Sequence, residues 1–158
     1  MRSEVYLGLG SNLGDRARNI GRAVEILRRS STGMLVSRIY ETSPQGFHSQ
    51  PRFLNAACRF WTALDPFQLM ASLRRLEDTM GRRRWFPNSP RTLDADILVY
   101  GRVVLESPVL TLPHPRMAER AFVLEPLAEI APQLRHPVLG QTVRSLLARL
   151  LQTQFADM

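Results

Sequence analysis

The hydrophobic pattern alternates between two periods along the chain. From Glu4 to Gly10 every second residue is apolar, with Val5, Leu7 and Leu9 on one face and Glu4, Tyr6 and Gly8 on the other. That period of two predicts a half-buried strand. Gly10-Ser11-Asn12-Leu13-Gly14-Asp15 interrupts it with turn and helix-start residues. Ala17, Ile20, Val24 and Leu27 then recur at helical spacing, with Arg on much of the rest. After Gly33, Met34 to Tyr40 reads as a second strand, and Glu41 to Arg52, holding Pro44, Gly46 and Pro51, as a loop long enough to line a site. Phe53 to Thr62 alternates again: Leu54, Ala56, Cys58 and Phe60 face the core, and Phe53, Asn55, Ala57, Arg59 and Trp61 face away. Asp65-Pro66 supplies a helix N-cap followed by proline at the first position. Phe67, Met70, Leu73 and Leu76 form the apolar stripe of that helix, which stops at Gly81.

The strand beginning at Pro90-Arg91-Thr92 and running to Tyr100 organises the remainder. Leu93, Ala95, Ile97 and Val99 share an apolar face, and Asp94, Asp96, Leu98 and Tyr100 share the opposite one. Val103 to Leu105 reads as a short strand and Ser107 to Arg116 as a proline-flanked loop around His114. A helix is expected near Ala118 to Glu129, and a last one with Val143, Leu146, Leu147 and Leu150 as its buried stripe. The order is β-α-β followed by β-α-β, without repeats, low-complexity tracts or an internal boundary. Residues 1–158 are therefore expected to form a single domain.

Two carboxylates side by side repel, so Asp94 and Asp96 call for a reason. Mg²⁺ supplies one: it takes one or two carboxylates, keeps several waters and draws its other ligands from phosphate oxygens. Gly81-Arg82-Arg83-Arg84 and Arg91 lie close in sequence, and guanidinium groups suit bidentate phosphate binding. Metal-binding acids next to phosphate-binding bases suggest phosphoryl transfer. An edge strand with solvated Asp residues is the plainer alternative. Phe53 and Asn55 pair a flat ring with an amide that both donates and accepts, or else are a sheet aromatic and an exposed Asn. Glu77, near a helix end where a carboxylate opposes the dipole, is either polar surface or a ligand contact. The Gly-rich turn after the first strand lacks the Gly-Lys-Ser/Thr of a Walker loop. His114 and His136 are too isolated for a zinc site, and no Ser/His/Asp or Cys/His constellation is evident.

Composition narrows the class further. Hydrophobic residues make up 44% of the chain, enough for a core, and no run approaches the ~20 apolar residues of a membrane span. The start of the chain has no cleavage-site pattern. Cys58, the single cysteine, reads as a buried structural thiol. A cytoplasmic protein with no membrane partner is expected. The net charge of +7 comes entirely from Arg, since the chain has no Lys. It suits a nucleotide, and equally a nucleic acid.

Four motifs in register resemble one family: Leu9-Gly10-Ser11-Asn12-Leu13-Gly14-Asp15, Phe53-Leu54-Asn55-Ala56, Pro90-Arg91-Thr92-Leu93-Asp94-Ala95-Asp96, and Leu112-Pro113-His114-Pro115-Arg116 followed by Arg120-Ala121-Phe122-Val123-Leu124. Together they are similar to 6-hydroxymethyl-7,8-dihydropterin pyrophosphokinase, an enzyme of folate biosynthesis, from about Val5 to about Pro132. The resemblance implies a ferredoxin-like α+β sandwich, a mainly antiparallel sheet with helices on one side. It implies transfer of the β,γ-pyrophosphoryl group of ATP to the pterin hydroxymethyl group by a monomer that needs no nucleic acid. By motif, Asp94 and Asp96 match the pair holding two Mg²⁺ ions. Arg82, Arg84 and Arg91 match phosphate-binding arginines, His114 and Arg120 match polyphosphate contacts, and Glu77, Ile97 and Thr111 match the nucleotide side. On the pterin side stand Gly10, the loop Thr42-Ser43-Pro44-Gln45-Gly46, the edge-reading Asn55 and the ring-sandwiching Phe53 and Phe122. The chain departs from the pattern at Asn88-Ser89, where an aromatic is common, at Ser43, where Pro is common, and at Val109, where some members carry a base. A basic ferredoxin-like module stacking single-stranded nucleic acid on Phe53 and Trp61, or a transferase for another heterocycle, are the competing readings.

Overall fold

A computed structural model describes residues 1–42 and 51–156, with the side chains of 155 and 156 left aside. The alternating first segment forms β1 (Ser3–Ser11), and the capped, amphipathic segment after it α1 (Arg16–Arg28). The Asp15 side chain accepts the Arg18 N–H at the start of α1, which satisfies one of the free donors there. The helix buries Ile20, Ala23, Val24 and Leu27; Ala23 takes the place expected for Ala17, which is exposed.

The expected second strand divides in two, β2 (Thr32–Val36) and β3 (Tyr40–Thr42). The division falls at Ser37. Its N–H donates to the Ala57 carbonyl and its Oγ accepts the Ala57 N–H, both at 2.9 Å. One serine thus supplies both bonds that a neighbouring strand would have made. Next come β4 (Phe53–Thr62) and α2 (Pro66–Thr79), the latter opened by a capping box in which Asp65 and Gln68 exchange bonds. α2 buries Leu69, Leu73, Leu76 and Glu77, so the stripe is rotated from the expected one and Phe67 is exposed.

β5 (Asp94–Tyr100) is followed by a small two-stranded ribbon, β6 (Leu105–Glu106) and β7 (Thr111–Leu112). The short strand expected at Val103 is displaced towards Glu106, and part of the expected 107–116 loop is strand. A 3-10 turn (Met117–Glu119), α3 (Ala121–Ile130) and α4 (Val143–Ala156) complete the chain. The Oγ1 of Thr142 accepts the Ser145 N–H at the start of α4.

The main sheet is antiparallel throughout, in the order β2-β4-β1-β5, with β3 also paired to β4. One face carries Val5, Leu7, Leu9, Ala56, Cys58, Phe60, Ala95 and Ile97, and α1 and α2 cover it. Cys58 is fully buried, and desolvation pushes its thiol up to about 12, which leaves it inert as a nucleophile. The other face carries Tyr6, Ala57, Leu98 and Val99 beneath Met117, α3 and α4. This is a ferredoxin-like α+β sandwich with one correction: helices lie on both sides of the sheet. A second correction concerns β5. Its pairing with β1 shifts register between Tyr6 and Leu7, a β-bulge. Leu98 and Val99 consequently join the same cluster, and Tyr100 turns to the face of Val5. The bulge leaves the first half of β5 in phase, so Asp94 and Asp96 still point together to the second face, beyond the part that α3 and α4 cover.

Candidate active site

The open end of that second face is ruled by register. Asn55, Gly10 and Asp94 stand in one row across β4, β1 and β5, and Ala57, Gly8 and Asp96 in the next. Two strand spacings of ~4.8 Å put Asn55 and Asp94 about 10 Å apart in that row, with glycine between them. A Cβ on Gly10 would lie 3.1 Å from Asn55 Oδ1 and 3.5 Å from Phe53 Cδ1. Small residues on the middle strand therefore make the floor of a cleft of about 290 Å³. Phe53, Asn55, Thr42, Arg91, Phe122 and Arg120 are among its walls. The Arg91 guanidinium lies 4.9 Å from the Phe53 ring centre and that of Arg120 5.5 Å from Phe122, so both aromatics are flanked by cations. Asn55 is buried, not exposed, and its Nδ2 donates to Thr42 Oγ1 at 2.7 Å. That bond turns Oδ1 over Gly10 as an acceptor.

A second cavity, about 320 Å³, adjoins the first on the α2 side and is lined by Met70, Leu73, Ile97, Leu110 and Thr111 with Glu77 and Arg82. Asp94, Asp96 and His114 line both cavities. The carboxylates thus stand where two ligands would meet.

The charges around them are unequal. Asp94 Oδ1 accepts from Arg82 Nη1 at 3.2 Å. Among the described residues no cation lies within ion-pair range of Asp96. Desolvation first, then Asp94 and Glu77, push Asp96 up to about 7. Part of its side chain faces the cleft although protein atoms crowd it on other sides. No group of three or more His, Cys, Asp or Glu among the described residues is disposed to cage a metal. Two carboxylates with open space beside them are the donor set of a hard cation that keeps waters and phosphate oxygens as its other ligands, so the residues fit Mg²⁺.

His114 is held by its backbone. Its N–H donates to Leu98 O at 2.8 Å, and its Nδ1 accepts the Arg116 N–H at 3.2 Å. Burial and then Arg120 lower its pKa, and with Nδ1 accepting a bond the proton of the neutral ring sits on Nε2. Burial and then Arg116 also lower Arg120, from a value high enough to leave it charged.

Glu77 is neither polar surface nor a wall alone. It is 2% exposed. Its Oε2 accepts from Arg82 Nη1 at 2.8 Å and from the Ala95 N–H at 2.9 Å; its Oε1 accepts from Arg84 Nη2 at 2.6 Å. β5 is the sheet edge, and the outward N–H between the two aspartates is satisfied by this one carboxylate. Burial raises Glu77 despite both arginines. Arg84 also reaches Asp78 at 3.3 Å and lines neither cavity, and Trp85 is 70% exposed. Gly10, Thr42, Phe53, Asn55, Arg91, Asp94, Asp96, His114, Arg120 and Phe122 are brought together around the first cleft, and Ile97, Thr111, Glu77 and Arg82 around the second. Ser43, Pro44 and Gln45 lie outside the described residues.

Sequence reasoning passed over Gly8, Leu98 and Asn88, which also line the first cleft. Gly8 could have been found from the period of two that puts it in phase with Gly10. It also passed over Asn12, whose Oδ1 accepts the Arg91 N–H at 2.8 Å and whose N–H donates to Arg91 O at 3.0 Å, fixing the backbone that presents Arg91.

A ferredoxin-like sandwich thus carries a carboxylate pair shared by two adjoining clefts, the arrangement of a domain with room for two ligands. The comparisons give it a family. The family model described as 7,8-dihydro-6-hydroxymethylpterin-pyrophosphokinase matches residues 6–132. The 2-amino-4-hydroxy-6-hydroxymethyldihydropteridine pyrophosphokinase of Bacillus subtilis is 45% identical over 136 residues, 85% of this chain and 81% of that protein. The folic acid synthesis protein fol1 of Pneumocystis carinii is 41% identical over 148 residues, which are 93% of this chain and 20% of that much longer protein. The chain thus spans about a fifth of the length of such relatives. A crystal structure of Plasmodium falciparum HPPK-DHPS superposes with a TM-score of 0.79 at 15% identity, covering 99% of this chain and 47% of that one. At that identity it supports the fold. The chain belongs to the 7,8-dihydro-6-hydroxymethylpterin-pyrophosphokinase family.

Proposed function

We propose that residues 1–158 act as one domain, a cytoplasmic monomer that transfers the β,γ-pyrophosphoryl group of ATP to the hydroxymethyl group of 6-hydroxymethyl-7,8-dihydropterin, releasing AMP. The observation that carries this reading is the sharing of Asp94, Asp96 and His114 by two cavities of different character. The reading involves neither nucleic acid nor membrane. No helix among the described residues is long and apolar enough to cross a membrane.

In this reading the pterin ring lies in the first cleft between Phe53 and Phe122, and its amide edge donates to Asn55 Oδ1. With Asn55 at one end of the row and the carboxylates at the other, the ring's hydroxymethyl arm falls beside Asp94 and Asp96. ATP takes the second cavity, its base against the apolar lining that includes Ile97, near Thr111. Its polyphosphate meets the Nε2–H of His114 and the guanidiniums of Arg82, Arg91 and Arg120; Arg84 is a further phosphate ligand once free of Glu77. Asp94 and Asp96 hold two Mg²⁺ ions. When bound, Mg²⁺ neutralises phosphate charge and acidifies the pterin hydroxyl. The hydroxyl oxygen bonds to the β-phosphorus and gives up its proton to solvent, as the bond from that phosphorus to the α,β-bridging oxygen breaks and its electron pair leaves with AMP. Positioning and charge neutralisation suffice for such a transfer, in keeping with the lack of a nucleophile constellation in the sequence.

Incubation with ATP, Mg²⁺ and the reduced pterin should give pterin-dependent AMP. ADP in its place would overturn the reaction type. No turnover together with salt-dependent binding of single-stranded nucleic acid would favour the binding-module reading. Gly10→Ala should raise the pterin KM about tenfold, the worth of one good hydrogen bond, and leave the KM for ATP unchanged. Its Cβ crowds an Asn55 amide that Thr42 does not let turn. Equal KM values for pterin in the variant and the parent would contradict the placement of the ring over Gly10.

A further inference from the structure

We infer that Glu129, outside both cavities, is a positioning residue that sets the acceptor geometry of the pterin cleft by clamping its two walls together. The inference rests on the reading of the first cleft as the pterin site. One wall is α3, whose first turn carries Phe122. The other is β3 and β4, which carry Thr42 and Asn55. Glu129, on the last turn of α3, spans them. Its Oε2 accepts the Arg38 backbone N–H at 3.0 Å, and its Oε1 accepts from Arg38 Nε at 3.1 Å and from the Tyr40 hydroxyl at 2.6 Å. Arg38 in turn lies over the Tyr40 ring at 5.8 Å. An exposed ion pair alone would contribute little. Here three donors from a three-residue stretch converge on one carboxylate, and one is a backbone N–H, so the contact fixes where β3 begins.

The route from Glu129 to the cleft is short. Tyr40 pairs with Asn55 across the sheet and Thr42 with Phe53. The Thr42 hydroxyl takes the Asn55 amide N–H at 2.7 Å. β3 is three residues long and, among the described residues, pairs with β4 alone, so its ladder is a weak anchor. The clamp to α3 supplies the rest. Without it, β3 can shift relative to α3, Thr42 no longer fixes the Asn55 amide, and Oδ1 loses its fixed aim over Gly10.

The test is pterin binding followed by fluorescence, together with steady-state kinetics, on the parent chain, Glu129→Ala, Glu129→Gln and Tyr40→Phe. Glu129→Ala should weaken pterin binding and raise the pterin KM about tenfold. kcat should stay within about twofold, and the KM for ATP should not move. Glu129→Gln, which keeps an acceptor oxygen for Tyr40, should recover part of the loss. In a Thr42→Val background, Glu129→Ala should add little, because the two act through one chain of contacts. A contact that only supports folding would lower Tm and the active fraction, hence apparent kcat, at unchanged pterin affinity; that result overturns the inference. If Glu129→Ala does not fold, Tyr40→Phe, which deletes a single hydroxyl, carries the test, and unchanged pterin affinity there overturns it equally. A parent chain that binds no reduced pterin removes the reading of the cleft and this inference with it, whereas a parent that binds and variants that bind equally remove the inference alone.

Discussion

Asp96→Asn lowers kcat by about a thousandfold or more while making the metal-free chain more stable at pH 8. The activity loss follows from the proposed metal role, since removing several kcal/mol of charge stabilisation costs about a decade per 1.4 kcal/mol. The stability gain follows from the site. Burial, Asp94 and Glu77 raise the folded pKa of Asp96 to about 7, against ~3.9 for a solvated aspartate. A carboxyl with a raised folded pKa contributes fully to stability below its unfolded pKa, and the contribution is lost as pH rises through the folded value. At pH 8 the parent therefore carries a buried, repelled charge that Asn does not. Thermal melts without Mg²⁺ should show the parent losing Tm between about pH 4 and 7 and the variant losing less. Mg²⁺ at pH 8 should restore the parent by mass action and leave the variant unmoved. A variant with parental kcat, or one stabilised by Mg²⁺ as much as the parent, would contradict the assignment.

Glu77→Ala destabilises the chain by about 3 kcal/mol, the cost of stranding buried partners, which for a chain of this size lowers Tm by about 6–12 °C. The substitution deprives the buried Ala95 N–H of its acceptor and Arg82 of its closest anion, at 2.8 Å. Burial raises Glu77 even with Arg82 and Arg84 beside it, so the ion pairs do not fully offset the desolvation of the carboxylate. The acceptor for Ala95 therefore matters more than the negative charge, and Glu77→Gln, which keeps that acceptor, should recover most of the lost stability. Arg82 is then left with Asp94 as its partner, so both variants should bind Mg²⁺ more weakly. Melts of the three proteins decide it: Glu77→Gln as unstable as Glu77→Ala would show that the charge is the larger contribution.

The strands that build the site were legible because their pattern is local. Period two in Glu4–Gly10 and Phe53–Thr62 is enough to put Gly10 and Asn55 on one face, and β4 spans the residues expected of it. Features that depend on partners distant in the chain were not legible. Ser37 divides the second strand through bonds to Ala57, twenty residues on. The bulge that exchanges Val99 and Tyr100 is set by pairing with β1. Glu77 sits on a helix whose expected stripe did not include it, and its burial depends on the edge N–H of Ala95, eighteen residues away. Both helices on the second face were expected, the last of them from its own periodicity, but the side of the sheet they cover is a tertiary choice. The site roles came from motif resemblance, while the separation into two cavities meeting at the carboxylates came from the fold.

The most direct test of the central claim is the fate of ATP labelled separately at its α-, β- and γ-phosphorus, incubated with Mg²⁺ and 6-hydroxymethyl-7,8-dihydropterin. Attack on the β-phosphorus sends the β- and γ-labels together into the pterin product and leaves the α-label in AMP, and Asp96→Asn forms neither. Transfer of the γ-label alone, with the β-label retained in ADP, would contradict the account.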